Sequence, residues 1–184
     1  MRITKREIAF EGKYLRLVRK HVQTDDGKEH AWETVERTNI YNRGAVVIIP
    51  ITPQKEVILE KNWRLPIESF VVQFPAGLTD QESESEEETA RRELLEETGY
   101  LAKELIPIIP TPLCPALIPT EANHFLAPDV EFVGIEREDN TEEIEVLKVP
   151  VEELKDFLLN LPEDTSLDLR VPGILWVLEK KQLI

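Results

Sequence analysis

GLTDQESESEEETARRELLEETGY, Gly77 to Tyr100, decides how the rest of the chain is read. Between Glu82 and Glu97, sixteen residues hold eight glutamates, answered only by Arg91 and Arg92. Like charges at this density repel one another. Two readings fit: a solvated acidic face, or carboxylates arranged to hold a multivalent cation. The local pattern is helical from about Glu86 to Thr98. Ser85 is placed as N-cap and Glu88, three residues on, completes a capping box. Glu86 and Glu87 fall in the first turn, where the helix dipole favours anions. Gly99 is placed to cap the C-terminus. Ala90, Leu94 and Leu95 make the side to be buried. Glu93 stands three before Glu96 and four before Glu97, so all three share a face. Arg92, four before Glu96, can pair with it, and Glu84 can fold back towards the same face. Hard divalent cations such as Mg²⁺ are held by a few carboxylates together with phosphate oxygens.

On the N-terminal side, KYLRLVRKHV and HAWETVERTNI read as two strands joined by the turn TDDGKE, with Asp26-Gly27 at its tip. Residues 1–43 therefore form a β-rich N-terminal piece, and 44–184 the main domain. AVVIIPI, after Gly44, is a continuous apolar run and reads as a buried strand. Lys55–Asn62 and Phe70–Phe74 are two further strands. Beyond the acidic helix come strand-like HFLA and EFVGI, the polar loop EREDNTEE, and strand IEVLKV. VEELKDFLLNL and a segment near GILWVLEKKQ, starting around Pro172, read as closing helices. Strands and helices thus mix around one sheet system, an α/β fold.

Composition narrows the function. With 184 residues the chain can bury a substantial core. Its formal charge of −14 argues against nucleic-acid backbones and anionic membranes as partners. A small anionic substrate is still compatible when cations mediate the contact. A single cysteine, Cys114, allows no internal disulfide and fits a reducing, cytoplasmic compartment. There is no signal-peptide-like start and no apolar run of roughly 18–20 residues. His21, His30 and His124 show no ligand spacing, and Cys114 has no evident base partner.

The order of residues sharpens the reading of the helix. Glu84-x7-Arg92-Glu93-Leu94-Leu95-Glu96-Glu97-Thr98-Gly99-Tyr100 resembles the Nudix box, G-x5-E-x7-R-E-U-x-E-E-x-G-U with U apolar. Gly77 to Glu84 is one residue longer than the family's spacing, and the extra residue falls in the loop before the helix. NWRLPIESFVVQFPAGL resembles the segment preceding the box in ADP-ribose pyrophosphatases and related nucleoside-diphosphate-sugar hydrolases, and Pro115 stands where that subfamily carries a proline. Gln73 stands where many members have glutamate, and Cys114-Pro115-Ala116 replaces the usual Ser-Pro-Gly.

The resemblance implies the Nudix fold, an α/β/α sandwich with a mixed sheet plus an N-terminal antiparallel β piece. It also implies Mg²⁺-dependent hydrolysis of a nucleoside diphosphate sugar, with Mn²⁺ as a substitute, by a homodimer. Glu93 and Glu97, then Glu96 and the Ala76 carbonyl, would hold metal. Glu96, Glu97 and Arg92 would serve catalysis, and Glu142 or Glu143 would act as base. Tyr14 and Trp32 would sandwich the base, within one chain or across two, while Arg37, Arg64 and Leu78 would meet the rest of the substrate. The same chemistry on another nucleotide sugar, such as GDP-mannose, and a non-catalytic nucleotide-sensing module are the alternatives.

Overall fold

The computed structural model describes residues 1–41, 44–134 and 143–184. Its N-terminal piece is a three-stranded antiparallel sheet of β1 (Arg2–Glu11), β2 (Leu15–Gln23) and β3 (Glu29–Arg37), in that order. Gly27 turns the β2–β3 hairpin at φ 85°, the left-handed region that glycine enters without steric cost. β1 has no counterpart in the sequence reading, because almost every one of its residues is exposed and no buried apolar face marks it. Its place is set by backbone pairing with β2.

The main domain follows as β4 (Gly44–Pro50), β5 (Glu56–Arg64), a single 3₁₀ turn at Leu65–Ile67, β6 (Ser69–Gln73), β7 (Ala76–Leu78) and α1 (Glu86–Thr98). Then come β8 (Tyr100–Leu101), β9 (Ile106–Cys114), β10 (Ile118–Ala127), β11 (Glu131–Phe132), β12 (Ile144–Pro150), α2 (Leu154–Leu159), β13 (Thr165–Leu167) and α3 (Arg170–Lys180). One mixed sheet runs β7-β4-β10-β9 and a second β12-β5-β6-β13, with β8 and β11 paired separately. β4 lies parallel to β10 and β6 parallel to β13; the remaining pairs are antiparallel.

Every residue of β4 is buried because helices cover both of its faces. Val46 and Ile48 pack with Ile58, Phe125 and the α1 residues Ala90 and Leu94. Ala45, Val47 and Ile49 turn the other way, to Leu59, Val72, Leu154, Leu158, Ile174 and Leu178. The period-two alternation of a strand thus separates two cores, one under α1 and one under α2 and α3. This is the α/β/α arrangement. Leu94 is fully buried, and a leucine in that position contributes about 1.5–3 kcal/mol relative to an exposed one.

Several elements differ from the sequence reading. β9 carries Pro107, Pro110 and Pro112, which conceal a strand in the sequence. It is an edge strand, the place where a missing N–H is tolerated. Among the described residues, EFVGI contributes only the two residues of β11, and the helix read in VEELKDFLLNL is confined to Leu154–Leu159. α3 begins at Arg170, before Pro172, which sits in its first turn where no intrahelical N–H bond is lost. No described helix is long and apolar enough to cross a membrane.

Candidate active site

α1 begins and ends where local chemistry dictates. The Ser85 hydroxyl accepts the Glu88 N–H at 3.2 Å, and the Glu88 carboxylate accepts the Ser85 N–H at 2.8 Å. Gly99 closes the helix at φ 76°. With Ala90 and Leu94 anchored in the core, Glu93, Glu96 and Glu97 all line one cleft of about 1010 Å³.

The Glu93 carboxylate sits against the backbone of Gly77. A Cβ there would fall 2.0 Å from Glu93 Cδ, so only glycine leaves room for the carboxylate in this position. Glu97 is held one step along: its Oε2 accepts the Ala76 N–H at 3.0 Å. Burial pushes the Glu93 carboxyl up to about 7; Arg92 acts against this, while the charges of Glu96 and Asp80 add to it. Burial raises Glu97 well above the ordinary carboxylate range as well. The charge and hydrogen bond of Glu60 and the charge of Glu93 push in the same direction.

Arg92 ties the acidic residues together. Its Nε lies 3.1 Å from Glu84 Oε1, and its Nη1 is 3.0 Å from both Glu93 Oε1 and Glu96 Oε2. Asp80 stands 3.7 Å from Nη2. Burial works against the charge of Arg92, yet the Glu84 hydrogen bond and the three glutamate charges hold its pKa above the ordinary arginine value. The extra residue ahead of Glu84 is absorbed in the turn before the helix. Glu84 still reaches Arg92, and it also accepts the Thr89 hydroxyl at 3.1 Å.

Ala76, Leu78, Arg37 and Arg64 line the same cleft, so these sequence-read positions meet the glutamate face. Arg64 donates from Nε and Nη2 to Gln73 Oε1 at 2.9 and 2.8 Å. Ser166, Leu167, Asp168 and Arg170 complete the cleft from the β13–α3 segment. The carboxylate of Asp168 accepts from the Arg170 backbone N–H at 2.8 Å and from its guanidinium. Burial alone would raise the Asp168 pKa, but Arg170 and then Arg64 hold it below the usual value.

Tyr14 and Trp32 are exposed and do not line the cleft. They cannot clamp one base within a chain. Trp32 pairs with Lys20, while Tyr14 precedes Leu15, which pairs with Arg37 at the far end of the hairpin. Six strand positions at about 3.3 Å each separate them by roughly 20 Å. Trp32 instead donates its indole N–H to the Ala116 carbonyl at 3.4 Å. Glu143 is exposed and outside the cleft lining, although its neighbour Ile144 belongs to it. Glu142 lies outside the described residues.

Sequence reasoning missed Glu60, Asp80, Asp168 and Arg170. Glu60 had a visible signal, since a glutamate directly after Val57, Ile58 and Leu59 interrupts a run buried throughout. It is itself fully buried, accepts the Gln73 amide at 3.3 Å, and its charge acts on Glu97. The donor set is all oxygen, with two half-buried carboxylates of raised pKa, and this fits a hard divalent cation. Among the described residues no three acidic, histidine or cysteine side chains already converge on one point. The Ala76 N–H takes one oxygen of Glu97 and Arg92 one oxygen of Glu96, which leaves each carboxylate its second oxygen.

Residues 41–169 match the NUDIX domain. The chain is 35% identical over 149 residues to an ADP-ribose pyrophosphatase of Bacillus subtilis, covering 80% of this chain and 77% of that protein. It is 38% identical over 104 residues to an ADP-sugar pyrophosphatase of Mus musculus, covering 53% of this chain and 47% of that protein. A crystal structure of an ADP compounds hydrolase superposes with a TM-score of 0.82 at 24% identity, covering 98% of this chain and 92% of the other. Hydrolases of this kind generally work with a divalent metal. By its box, its α/β/α architecture and these matches, the chain belongs to the Nudix hydrolase family.

Proposed function

We propose that this protein hydrolyses the diphosphate of ADP-ribose or a related nucleoside diphosphate sugar, with Mg²⁺ as cofactor and Mn²⁺ as a substitute. One observation carries the reading. A single cleft brings the Glu93, Glu96 and Glu97 face of α1 together with Arg37 and Arg64. Carboxylates alone would repel a diphosphate; arginines alone would bind it without activating water. The names of the relatives support the substrate class.

Glu93 and Glu97 would be the principal residues to hold the metal, followed by Glu96 and the Ala76 carbonyl. Bound there, it would neutralise phosphate charge and lower the pKa of water. Arg92 keeps the glutamates in register. Arg37 and Arg64 bind diphosphate oxygens, Arg64 with a planar fork suited to them, and Leu78 packs against the substrate. Glu142 or Glu143 takes the proton from the attacking water. Water oxygen bonds to phosphorus as the bridging P–O bond breaks, and ADP-ribose yields AMP and ribose 5-phosphate. The protein acts in the cytoplasm as a homodimer in which Tyr14 and Trp32 of different chains face one base. Their separation along one hairpin supports this shared arrangement over a clamp within a chain.

A panel of nucleoside diphosphate sugars incubated with Mg²⁺ or Mn²⁺, with products resolved by chromatography, tests the proposal. Nucleoside monophosphate and sugar phosphate are expected, fastest from a purine substrate. Absence of cleavage across the panel defeats it.

A further inference from the structure

Two parts of the cleft are joined by a chain of side chains. Arg64 donates twice to Gln73 Oε1, at 2.9 and 2.8 Å. Gln73 Nε2 donates to Glu60 Oε2 at 3.3 Å. The Glu60 charge acts directly on Glu97, whose Oε2 accepts the Ala76 N–H. Gln73 and Glu60 are buried, and they face each other across the β5–β6 pair, where Glu60 is in register with Gln73. Asp168, on the β13–α3 segment, feels the charge of Arg64. The chain therefore runs from the arginine lining the cleft to the last glutamate of the box.

The middle of this chain needs a side chain that both accepts and donates. A guanidinium offers donors alone, so it must meet an acceptor; a carboxylate accepting a bond needs a donor. An amide supplies both at once, Oε1 to Arg64 and Nε2 to Glu60. A carboxylate at position 73 would bond Arg64 but oppose Glu60 with a second negative charge in a buried setting. An apolar group would leave both neighbours without this partner.

We propose that Gln73, acting through Glu60, is a positioning residue for the hydrolysis. It fixes Arg64 and Glu97 relative to one another, so that the group binding the diphosphate and a carboxylate serving the cation keep one spacing. This role rests on the nucleoside diphosphate sugar reading above. Misplacement of a catalytic group by about 1 Å can cost on the order of a hundredfold in rate, which makes such a brace valuable.

The test is a swap made in the whole chain: Gln73→Glu, Glu60→Gln and the double variant. Each is assayed for kcat and KM with ADP-ribose and Mg²⁺, and for melting temperature. Gln73→Glu alone is expected to lower kcat at least about tenfold and to lower the melting temperature. In the double variant the amide and carboxylate have exchanged places. The amide, moved to position 60, can donate both to the carboxylate at position 73 and to Glu97, so kcat is expected within about threefold of wild type. KM should remain raised, because Arg64 then faces a charged partner instead of a neutral one.

A purely stabilising role would move the melting temperature and leave the kcat of the folded Gln73→Glu protein unchanged; that result overturns the proposal. So does an active wild type whose double variant melts like wild type without regaining kcat. If the double variant does not fold, Gln73→Met decides: a folded protein with undiminished kcat overturns the brace, and a lowered kcat at saturating substrate supports it. A wild type that cleaves none of the panel overturns the functional reading, and the positioning role with it.

Discussion

Gly77 and Glu93 show how tightly one residue can constrain another. The space beside Gly77 is filled by the Glu93 carboxyl, with 2.0 Å left for any Cβ. Gly77→Ala must displace that carboxylate. It should lower kcat at least about tenfold while stability changes little, because the far end of the Glu93 side chain can swing aside; denaturant melts and steady-state rates measure both. Glu97→Gln is expected to keep the fold too. Glu97 is half-buried, with its carboxyl pushed up by desolvation and by Glu60, so a neutral isostere suits the fold. The variant should fold normally while kcat falls at least about a hundredfold, the scale of a lost electrostatic stabiliser. Near-normal turnover in a folded Glu97→Gln protein would remove Glu97 from the machinery.

At the scale of the element, α1 acts as a unit because its caps, buried side and acidic face are all local. Ser85→Ala removes the acceptor of the Glu88 N–H and should cost about 1 kcal/mol, or roughly 2–4 °C in melting temperature. The acidic face also gives the fold a pH dependence of definite sign. The folded pKa of Glu93 is raised from 4.5 to about 7, and Glu97 is raised as well. The folded state therefore binds more protons than the unfolded state in this window. The contribution is fully present below 4.5 and is lost as pH rises through about 7. Asp168, held low by Arg170, acts oppositely: its contribution is present above 3.8 and is lost as pH falls through its depressed folded pKa. A chelator-treated sample should thus lose melting temperature between about pH 5 and pH 8, and millimolar Mg²⁺ should restore it by mass action. A flat profile without metal would contradict the raised carboxylates.

The boundaries of α1 were legible in the sequence because Ser85, Glu88 and Gly99 act within a few residues of themselves. β4 was legible from its unbroken apolar run. β1 and β9 were not, since the first buries almost nothing and the second hides behind three prolines on a sheet edge. The Nudix box glutamates and their arginine could be read directly. Asp168 and Arg170 could not, because the pairing of β6 with β13 brings them to the cleft; Glu60 showed only as a charge in an apolar run, and the pairing of β5 with β6 sets it against Gln73.

At the scale of the whole molecule, the N-terminal sheet stands apart from the two main sheets and exposes Ile8, Phe10, Tyr14 and Trp32. Val35 N–H to the Leu117 carbonyl, at 3.0 Å, ties it to the β9–β10 turn. In the proposed dimer the exposed aromatics form a base site shared between chains. Trp32→Ala should then raise KM for ADP-ribose roughly 5–150-fold, following about 1–3 kcal/mol per stacked base, and change kcat far less. Light scattering should give twice the monomer mass; a fully active monomer would end the shared-site proposal, and an unchanged KM would end the stacking role.

The most direct test of the central claim compares wild type with Glu97→Gln on ADP-ribose and Mg²⁺, with products separated by chromatography. Wild type should yield equal amounts of AMP and ribose 5-phosphate, and the folded variant at least about a hundredfold less per unit time. Absence of AMP from the wild type, or undiminished AMP from the variant, would contradict the claim that the α1 glutamates drive diphosphate hydrolysis.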